Sequence, residues 1–225
     1  MGASRPTGGR RSVVRLLRHG EVHNPDGILY GRLAGYHLSE LGRKMADRIA
    51  DFLKEQQHDI AAVVSSPLER AQETAEPIAA AFGLDVRTDV RLIEPSNVFE
   101  GLTFGVGDGS LRRPGHWRYL LNPFRPSWGE PYAHQAGRML AAMADARELA
   151  PGREIVCVSH QLPIWVTRRR VEGKPLWHDP RRRECTLASL TSFTYEGAAI
   201  ETVSYVEPVK DLLPVKVSRT FDSGA

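Results

Sequence analysis

Short apolar runs alternate with segments of helical spacing along this chain, and this alternation constrains the fold more than any other feature. Residues 12–17, 61–64 and 154–159 read as buried strands. Each is followed by apolar residues at helical spacing or by residues that typically begin a helix. Because such an order is typical of a sheet with helices packed on its faces, we predict an α/β fold.

The helix boundaries are predicted from capping residues. Ser39 is placed to cap a helix that runs to about Gln57. The segment Ser66-Pro67-Leu68-Glu69 combines a capping box with a proline at the first helical position, and it predicts a helix towards Phe82 that bends at Pro77. The remaining elements are expected at residues 162–171 (a helix) and at residues 185–195 and 199–206 (two strands joined by a tight turn).

The length of 225 residues suits one domain, which we place at residues 12–208. Residues 1–11 are expected to form an N-terminal tail, and residues 209–225 a C-terminal extension. Residues 104–132 are rich in Gly and Pro, and their apolar members are largely aromatic. A long irregular segment of this composition predicts an ordered flap beside the functional site, whose rings either contact the substrate or only pack the flap onto the body.

Charge and composition exclude several functional classes. The net charge of +3 is too small to indicate a nucleic-acid partner, but it is compatible with a small anionic substrate. Two cysteines form no disulfide framework, and the histidines lack the close spacing of metal ligands. We therefore expect no metal and no cofactor. Without a signal-like or membrane-spanning apolar stretch, we expect a cytoplasmic protein without a membrane partner, compatible with a homodimer.

Residues suited to phosphate chemistry follow three of the predicted strands. The first strand ends in Arg18-His19-Gly20-Glu21, and we expect Gly20, which has no Cβ, to leave room for an anion at the backbone. His160 directly follows the strand at 154–159. Arg70 lies in the first turn of the helix after the second strand, where a guanidinium adds a two-pronged contact for an anion. Because the carboxyl ends of parallel strands meet at one crevice, we expect Arg18, His19, Arg70 and His160 to lie together. The arginines at 168–170 and 181–183 are expected to be solvated. The alternative is that one of them contacts an acidic substrate.

In order and spacing, these motifs resemble those of the histidine phosphatase superfamily, which includes cofactor-dependent phosphoglycerate mutases and acid phosphatases. The resemblance implies a three-layer sandwich in which helices flank a mostly parallel sheet. It also implies that His19 is the phosphorylated nucleophile, that Arg18, Arg70 and His160 surround the phosphoryl group, and that Asn24 contacts it. The further motifs that carry the resemblance are Ser65-Ser66-Pro67-Leu68-Glu69-Arg70-Ala71-Gln72-Glu73-Thr74-Ala75, Leu92-Ile93-Glu94 with Phe99-Glu100-Gly101, Gly129-Glu130-Pro131 and Val158-Ser159-His160.

Two glutamates follow Leu92. The resemblance assigns the proton donor to Glu94, and the position of Glu94 directly after a short apolar segment, which we predict to be a strand, favours the same choice. Glu100 is expected to order the turn at Gly101. Glu130 matches a glutamate that begins a helix in many family members.

The chain departs from the family pattern at three points. Gln161 stands where members usually have glycine after the second histidine, and we expect its side chain to narrow the pocket and contact substrate. The usual aspartate before Leu38-Ser39 is missing, and Pro131 follows Glu130 where serine is common. These departures leave the catalytic groups in place but change the surroundings of the substrate.

The expected function is hydrolysis of a small phosphorylated metabolite through a phosphohistidine. A neutral imidazole is nucleophilic near pH 7, and two arginines with a protonated second histidine would stabilise the charge on the phosphoryl oxygens. A phosphoglycerate mutase is the alternative, although the stretch from Glu94 to Glu130 is closer in length to the phosphatases. A non-catalytic phosphate-binding module is a second alternative.

Overall fold

The computed structural model describes residues 11–97, 100–102 and 129–213. Short 3₁₀ segments lie at Val90–Leu92, Pro180–Arg182 and Lys210–Leu212. Four helices are present in the described part: α1 (Glu40–Glu55), α2 (Glu69–Phe82), α3 (Tyr132–Glu148) and α4 (Gln161–Val171). Six strands are described: β1 (Ser12–Arg18), β2 (Ile60–Ser65), β3 (Val86–Thr88), β4 (Glu154–Ser159), β5 (Leu190–Glu196) and β6 (Ala199–Val206).

The strands form one mixed sheet in the order β3-β2-β4-β1-β5-β6. The first four strands in this order pair in parallel, and the hairpin β5–β6 adds two antiparallel strands beside β1. The register places Arg18 opposite Ser159, and Ser65 opposite Val158. The carboxyl ends of β1, β2 and β4 therefore meet at one edge of the sheet, as the α/β prediction requires.

Two hydrophobic cores cover the two faces of this sheet. On one face, Leu17 and Val158 pack with apolar side chains of α1 and α2. On the other face, Leu16 and Cys157 pack with α3 and with Ile164 of α4. Neighbouring residues of one strand thus point to opposite cores, as the two-residue repeat of a strand requires. The result is the predicted three-layer sandwich.

Helix α1 begins as the sequence predicts, because the Ser39 side chain accepts a hydrogen bond from the Gly42 amide at 2.9 Å. The prediction for α2 is wrong at its start. This helix begins at Glu69 after an N-cap Leu68 that makes no side-chain capping bond, so the capping box does not form and Pro67 lies outside the helix. The Ser66 hydroxyl instead contacts a histidine across the sheet edge, as described below.

Two strand predictions also need correction. Strand β5 begins at Leu190 rather than at residue 185, because residues 185–189 form a loop whose carbonyl groups accept hydrogen bonds from the end of β1 and its arginine. Residues Val90–Leu92 form a 3₁₀ turn rather than a strand, with the Asp89 carboxylate accepting from the Arg91 amide.

The predicted flap and the chain ends are described only in part. Residues 104–128 lie outside the described residues, so the flap stays a prediction. At the end of the predicted flap, Tyr132 is the first residue of α3 and does not belong to an irregular segment. Of the C-terminal extension, Val209 is buried, and Leu212 and Leu213 pack on the core beneath α1 and α2. Across the described residues, no helix combines the length and apolarity needed to span a membrane.

Candidate active site

The ends of β1 and β4 bring two histidines together at the edge of the sheet. His19 follows β1 and His160 follows β4, and their ring centroids lie 5.2 Å apart. Both side chains are buried, as are Arg18 and Arg70. Four polar residues from three separate segments of the sequence therefore converge below the surface, as their positions after the strands predict.

Hydrogen bonding fixes which nitrogen of His19 is free to react. Its Nδ1 lies 2.8 Å from the carbonyl oxygen of Gly20, which can only accept, so Nδ1 carries the proton. Burial lowers the pKa of His19 well below its ordinary value of 6.5, and the charges of Arg70 and Arg18 lower it further. The ring is therefore neutral, and its Nε2 carries a lone pair suited to nucleophilic attack.

Gly20 serves a different purpose from the one that the sequence argument gave it. We expected this glycine to leave room for an anion at the backbone, but a Cβ there would lie 2.6 Å from the carbonyl oxygen of Gly42 in α1. A Cβ on Gly42 would in turn lie 2.0 Å from the carbonyl oxygen of Glu21. This close approach of two backbones, together with a 3.1 Å bond from the Gly20 amide to the Thr74 hydroxyl, holds the loop after the nucleophile.

Arg70 is a fully buried cation in the first turn of α2. Its Nη2 donates to the carbonyl oxygen of Gly31 at 2.6 Å, and its guanidinium lies 4.6 Å from the centre of the Tyr30 ring. Its Nε and Nη1 are buried and have no hydrogen-bond partner among the described residues. Buried donors are rarely left unsatisfied, so these two N–H groups indicate an anion-binding position.

The side chain of Ser66 contacts the second histidine. His160 Nε2 lies 2.8 Å from the Ser66 hydroxyl, while its Nδ1 lies 3.8 Å from a carboxylate oxygen of Glu94 and makes no hydrogen bond within the described part of the chain. Burial lowers the pKa of His160 well below 6.5, with further lowering by Arg70 and by His19. The expectation of a protonated second histidine is therefore wrong for this structure, because burial disfavours its charged form.

A neutral His160 is still a hydrogen-bond donor. In the tautomer in which the Ser66 hydroxyl donates to Nε2, the ring proton lies on Nδ1, on the side that faces Glu94. Ser66 was not predicted as a site residue, because in the sequence this serine has the pattern of a helix cap. Its position directly after β2, at the same sheet edge as the histidines, is the signal that could have identified it.

Glu94 has the properties of a proton donor. Its side chain is buried, and burial raises its pKa to about 7 although the charges of Arg70, Arg183 and Arg18 oppose this change. A carboxyl group with a pKa near neutrality can give up and recover a proton at working pH. Glu100 instead accepts from the Asn97 amide at 3.0 Å, which fits the expected role in ordering its own turn.

The other predicted residues lie in different surroundings. The Asn24 side chain is paired with its own loop, since it accepts from the Ile28 amide and donates to the Ile28 carbonyl, so its phosphate contact stays a prediction. Gln161 is the first residue of α4, and its Nε2 lies 3.3 Å from the Cys185 carbonyl oxygen. The same oxygen accepts from Arg18 at 2.8 Å, so Gln161 adjoins the arginine beside the nucleophile.

Glu130 precedes α3 by two residues, close to where the motif placed it. Its carboxylate accepts from Arg138 at 2.8 Å and 3.0 Å, and its backbone carbonyl accepts from Gln135. Glu130 thus joins the segment before α3 to the helix itself. No group of three or more His, Cys, Asp or Glu side chains within residues 11–97, 100–102 and 129–213 is arranged to hold a metal ion.

Comparison with known proteins gives a consistent result over most of the chain. The family model described as "Histidine phosphatase superfamily (branch 1)" matches residues 14–208. An uncharacterized protein of Mycobacterium tuberculosis is 56% identical over 195 residues, which cover 87% of this chain and 96% of that protein. A probable phosphoglycerate mutase of Escherichia fergusonii is 29% identical over 205 residues, covering 86% and 93%. Among solved structures, a mycobacterial glucosyl-3-phosphoglycerate phosphatase has a TM-score of 0.68 and 27% identity, covering 88% of this chain and 97% of that chain.

Proposed function

The chain belongs to the histidine phosphatase superfamily, and from this premise we propose that it is a phosphatase that hydrolyses a small phosphorylated metabolite through a phosphohistidine. The observation that carries the proposal is the pairing of a nucleophile with an anion-binding position. His19 keeps its Nε2 lone pair because Nδ1 donates to the Gly20 carbonyl, and Arg70 has two buried N–H groups without a partner in the described part of the site.

In the first step, Nε2 of His19 attacks phosphorus, and the ester bond between phosphorus and the substrate oxygen breaks. Arg18 and Arg70 stabilise the charge on the phosphoryl oxygens, and the Nδ1–H of His160 is available to donate to them. The departing oxygen takes its proton from Glu94, whose raised pKa keeps a proton available near neutral pH.

In the second step, water attacks the phosphorus of the phosphohistidine. Glu94, now ionised, takes a proton from this water, and the bond between phosphorus and Nε2 breaks. Inorganic phosphate leaves, and both His19 and Glu94 return to their starting states. The same carboxyl group thus acts first as an acid and then as a base.

Two other functions use the same residues. A phosphoglycerate mutase would return the phosphoryl group to a different oxygen of the substrate, and the resemblance to a probable mutase supports this alternative. The short stretch between Glu94 and Glu130 and the likeness to a structure named as a phosphatase favour hydrolysis. The buried histidine pair and the proton donor with a pKa near 7 argue against a silent binding module.

The test is to incubate the protein with 3-phosphoglycerate and with a panel of other phosphorylated metabolites, with and without 2,3-bisphosphoglycerate. We expect free phosphate from at least one substrate, independent of bisphosphoglycerate, and none from the matched His19→Ala variant. Isomerisation without phosphate release would instead identify a mutase. Binding without either product would identify a binding module and refute the proposal.

A further inference from the structure

A third arginine lies beside the phosphate-binding residues. Arg183 is partly buried, unlike Arg181 and Arg182, which are exposed as the sequence analysis expected for this run. Its Nη1 donates to the side-chain oxygen of Gln161 at 3.1 Å, and its Nε donates to Nε2 of His178 at 2.9 Å. The side chain is therefore held at two points rather than solvated.

His178 fixes the orientation of the Arg183 guanidinium. Its Nδ1 lies 2.7 Å from the carbonyl oxygen of Leu176, so Nδ1 carries the proton and Nε2 accepts from Arg183. Burial lowers the pKa of His178 to about 4, so the ring stays neutral at physiological pH. The rings of Tyr132 and Trp165 lie against it, with centroids 5.5 Å and 6.0 Å away. Packing and hydrogen bonding together orient the guanidinium.

Arg183 is connected to the phosphate-binding arginines through Gln161. This glutamine contacts Arg183 through its oxygen and the Cys185 carbonyl through its nitrogen, and that carbonyl also accepts from Arg18. Burial lowers the pKa of Arg183, the nearby Glu94 opposes this effect, and the charge of Arg18 adds to it. Arg183 therefore lies within electrostatic range of both the proton donor and the first arginine of the site.

The partners of Arg183 do not neutralise it. Across the described residues, no carboxylate forms an ion pair with Arg183, whereas the neighbouring Arg181 pairs with Asp179 at 2.8 Å. Its two hydrogen-bond acceptors, Gln161 and the neutral His178, carry no charge. A partly buried cation with neutral partners beside an anion site is suited to bind a second anionic group.

The charge balance indicates which group this is. Arg18, Arg70 and Arg183 supply three positive charges, and the nearby Arg32 and Arg138 share the one carboxylate of Glu130. A phosphate monoester supplies about two negative charges when its second proton is lost. With Glu94 protonated as the acid, an excess of positive charge remains. We propose that Arg183, positioned by His178 and Gln161, binds a carboxylate on the alcohol part of the substrate. This inference rests on the proposed function, because it assumes that the site takes a phosphate ester.

The experiment compares 3-phosphoglycerate with glycerol 3-phosphate. The two compounds share the reacting phosphate ester, but the first carries a carboxylate where the second carries a hydroxymethyl group. Their dissociation constants are measured by calorimetry in the His19→Ala protein, which cannot turn them over, with and without Arg183→Gln. We expect 3-phosphoglycerate to bind more tightly by about tenfold or more, and Arg183→Gln to remove most of this preference. Arg182→Gln, at the exposed neighbour, is the matched control and is expected to keep the preference.

Phosphate release by the wild-type protein is measured in parallel and tests the proposed function separately. A carboxylate preference that disappears with Arg183→Gln supports the inference even if no phosphate is released. Phosphate release without a carboxylate preference, or with a preference that survives Arg183→Gln, overturns the inference and leaves the proposed function standing. Far-UV circular dichroism of each variant identifies loss of folding. If Arg183→Gln fails to fold, Arg183→Met, which keeps an apolar stem without the charge, is the second variant, and a preference for 3-phosphoglycerate that survives in Arg183→Met overturns the inference.

Discussion

Glu94 is expected to destabilise the folded protein at neutral and alkaline pH, and Glu94→Gln is the perturbation that reveals this. The carboxyl group has an ordinary pKa of 4.5 and a pKa of about 7 in the buried site. Below pH 4.5 the group is protonated in both the folded and the unfolded chain. Between pH 4.5 and 7 the unfolded chain loses the proton first, so stability falls as pH rises. Above pH 7 the loss is complete.

The size of the effect follows from this difference in pKa. Each unit is worth about 1.4 kcal/mol, so the cost above pH 7 is about 3 kcal/mol. Glutamine has the shape of the protonated acid and does not titrate. We therefore expect the free energy of unfolding of Glu94→Gln, relative to that of wild type, to rise by about 3 kcal/mol between pH 4.5 and pH 8.

Urea unfolding followed by far-UV circular dichroism at pH 4.5, 6, 7 and 8 measures this difference. At pH 8 the change corresponds to a rise in the urea midpoint of about 1 M relative to the comparison at pH 4.5. Glu100→Gln is the control, since that carboxylate accepts from the Asn97 amide in its own turn. If the stability difference does not change with pH, or changes equally in the control, then the folded site does not disfavour the charged form of Glu94, and the reasoning is refuted.

Four further changes test the site itself. His19→Ala should abolish turnover without unfolding the protein, and only wild type should trap acid-labile, alkali-stable phosphate; near-normal turnover would refute the nucleophile. Arg70→Lys should lower kcat/KM by about 100-fold or more because an ammonium cannot reproduce the planar fork, and a change within about twofold would place Arg70 outside phosphate contact. In single-turnover measurements of the phosphorylation step, Glu94→Gln should slow transfer from an alkyl phosphate by roughly 100- to 10,000-fold but transfer from p-nitrophenyl phosphate far less, with no such asymmetry in Glu100→Gln; equal slowing of both substrates in that step would contradict the acid role. Ser66→Ala should lower activity by about 5- to 100-fold through the second histidine, while Ser66→Thr, which keeps the hydroxyl, should retain most of it; equal activities of the two variants would argue against the contact.

The strand ends and the helix cap at Ser39 were predictable from the sequence because they depend on local patterns. His19 and His160 each follow an apolar run, and parallel pairing brings such ends together whatever the length of chain between them. The cap at Ser39 is likewise local, because its hydroxyl accepts from the amide of Gly42, three residues along the chain. These features need only the residue pattern and the general rules of α/β folds.

Features that depend on contacts between distant segments were not predictable in the same way. Ser66 reads as a cap in the sequence, but across the sheet edge the ring of His160 competes for its hydroxyl. Gly20 reads as an anion-approach residue, yet the backbone of α1 occupies that space. Arg183 reads as one of three solvated arginines, and only the folded position of His178 distinguishes it from its neighbours. In each case the partner lies on another element, which the local pattern does not specify.

The position of β1 in the sheet also has a consequence for how the chain assembles during synthesis. This strand is synthesised before both of its neighbours, since Val13 pairs with Glu154 of β4, and Val14 pairs with Phe193 of β5. At typical rates of translation, roughly 10 to 30 s pass before those neighbours exist. During that interval the apolar strand that carries the nucleophile has neither of its partners, so a nascent chain is exposed to aberrant strand pairing before it has a site. The nucleophile is therefore synthesised well before its strand has both neighbours, and the sheet around it is complete only after β4 and β5 have left the ribosome.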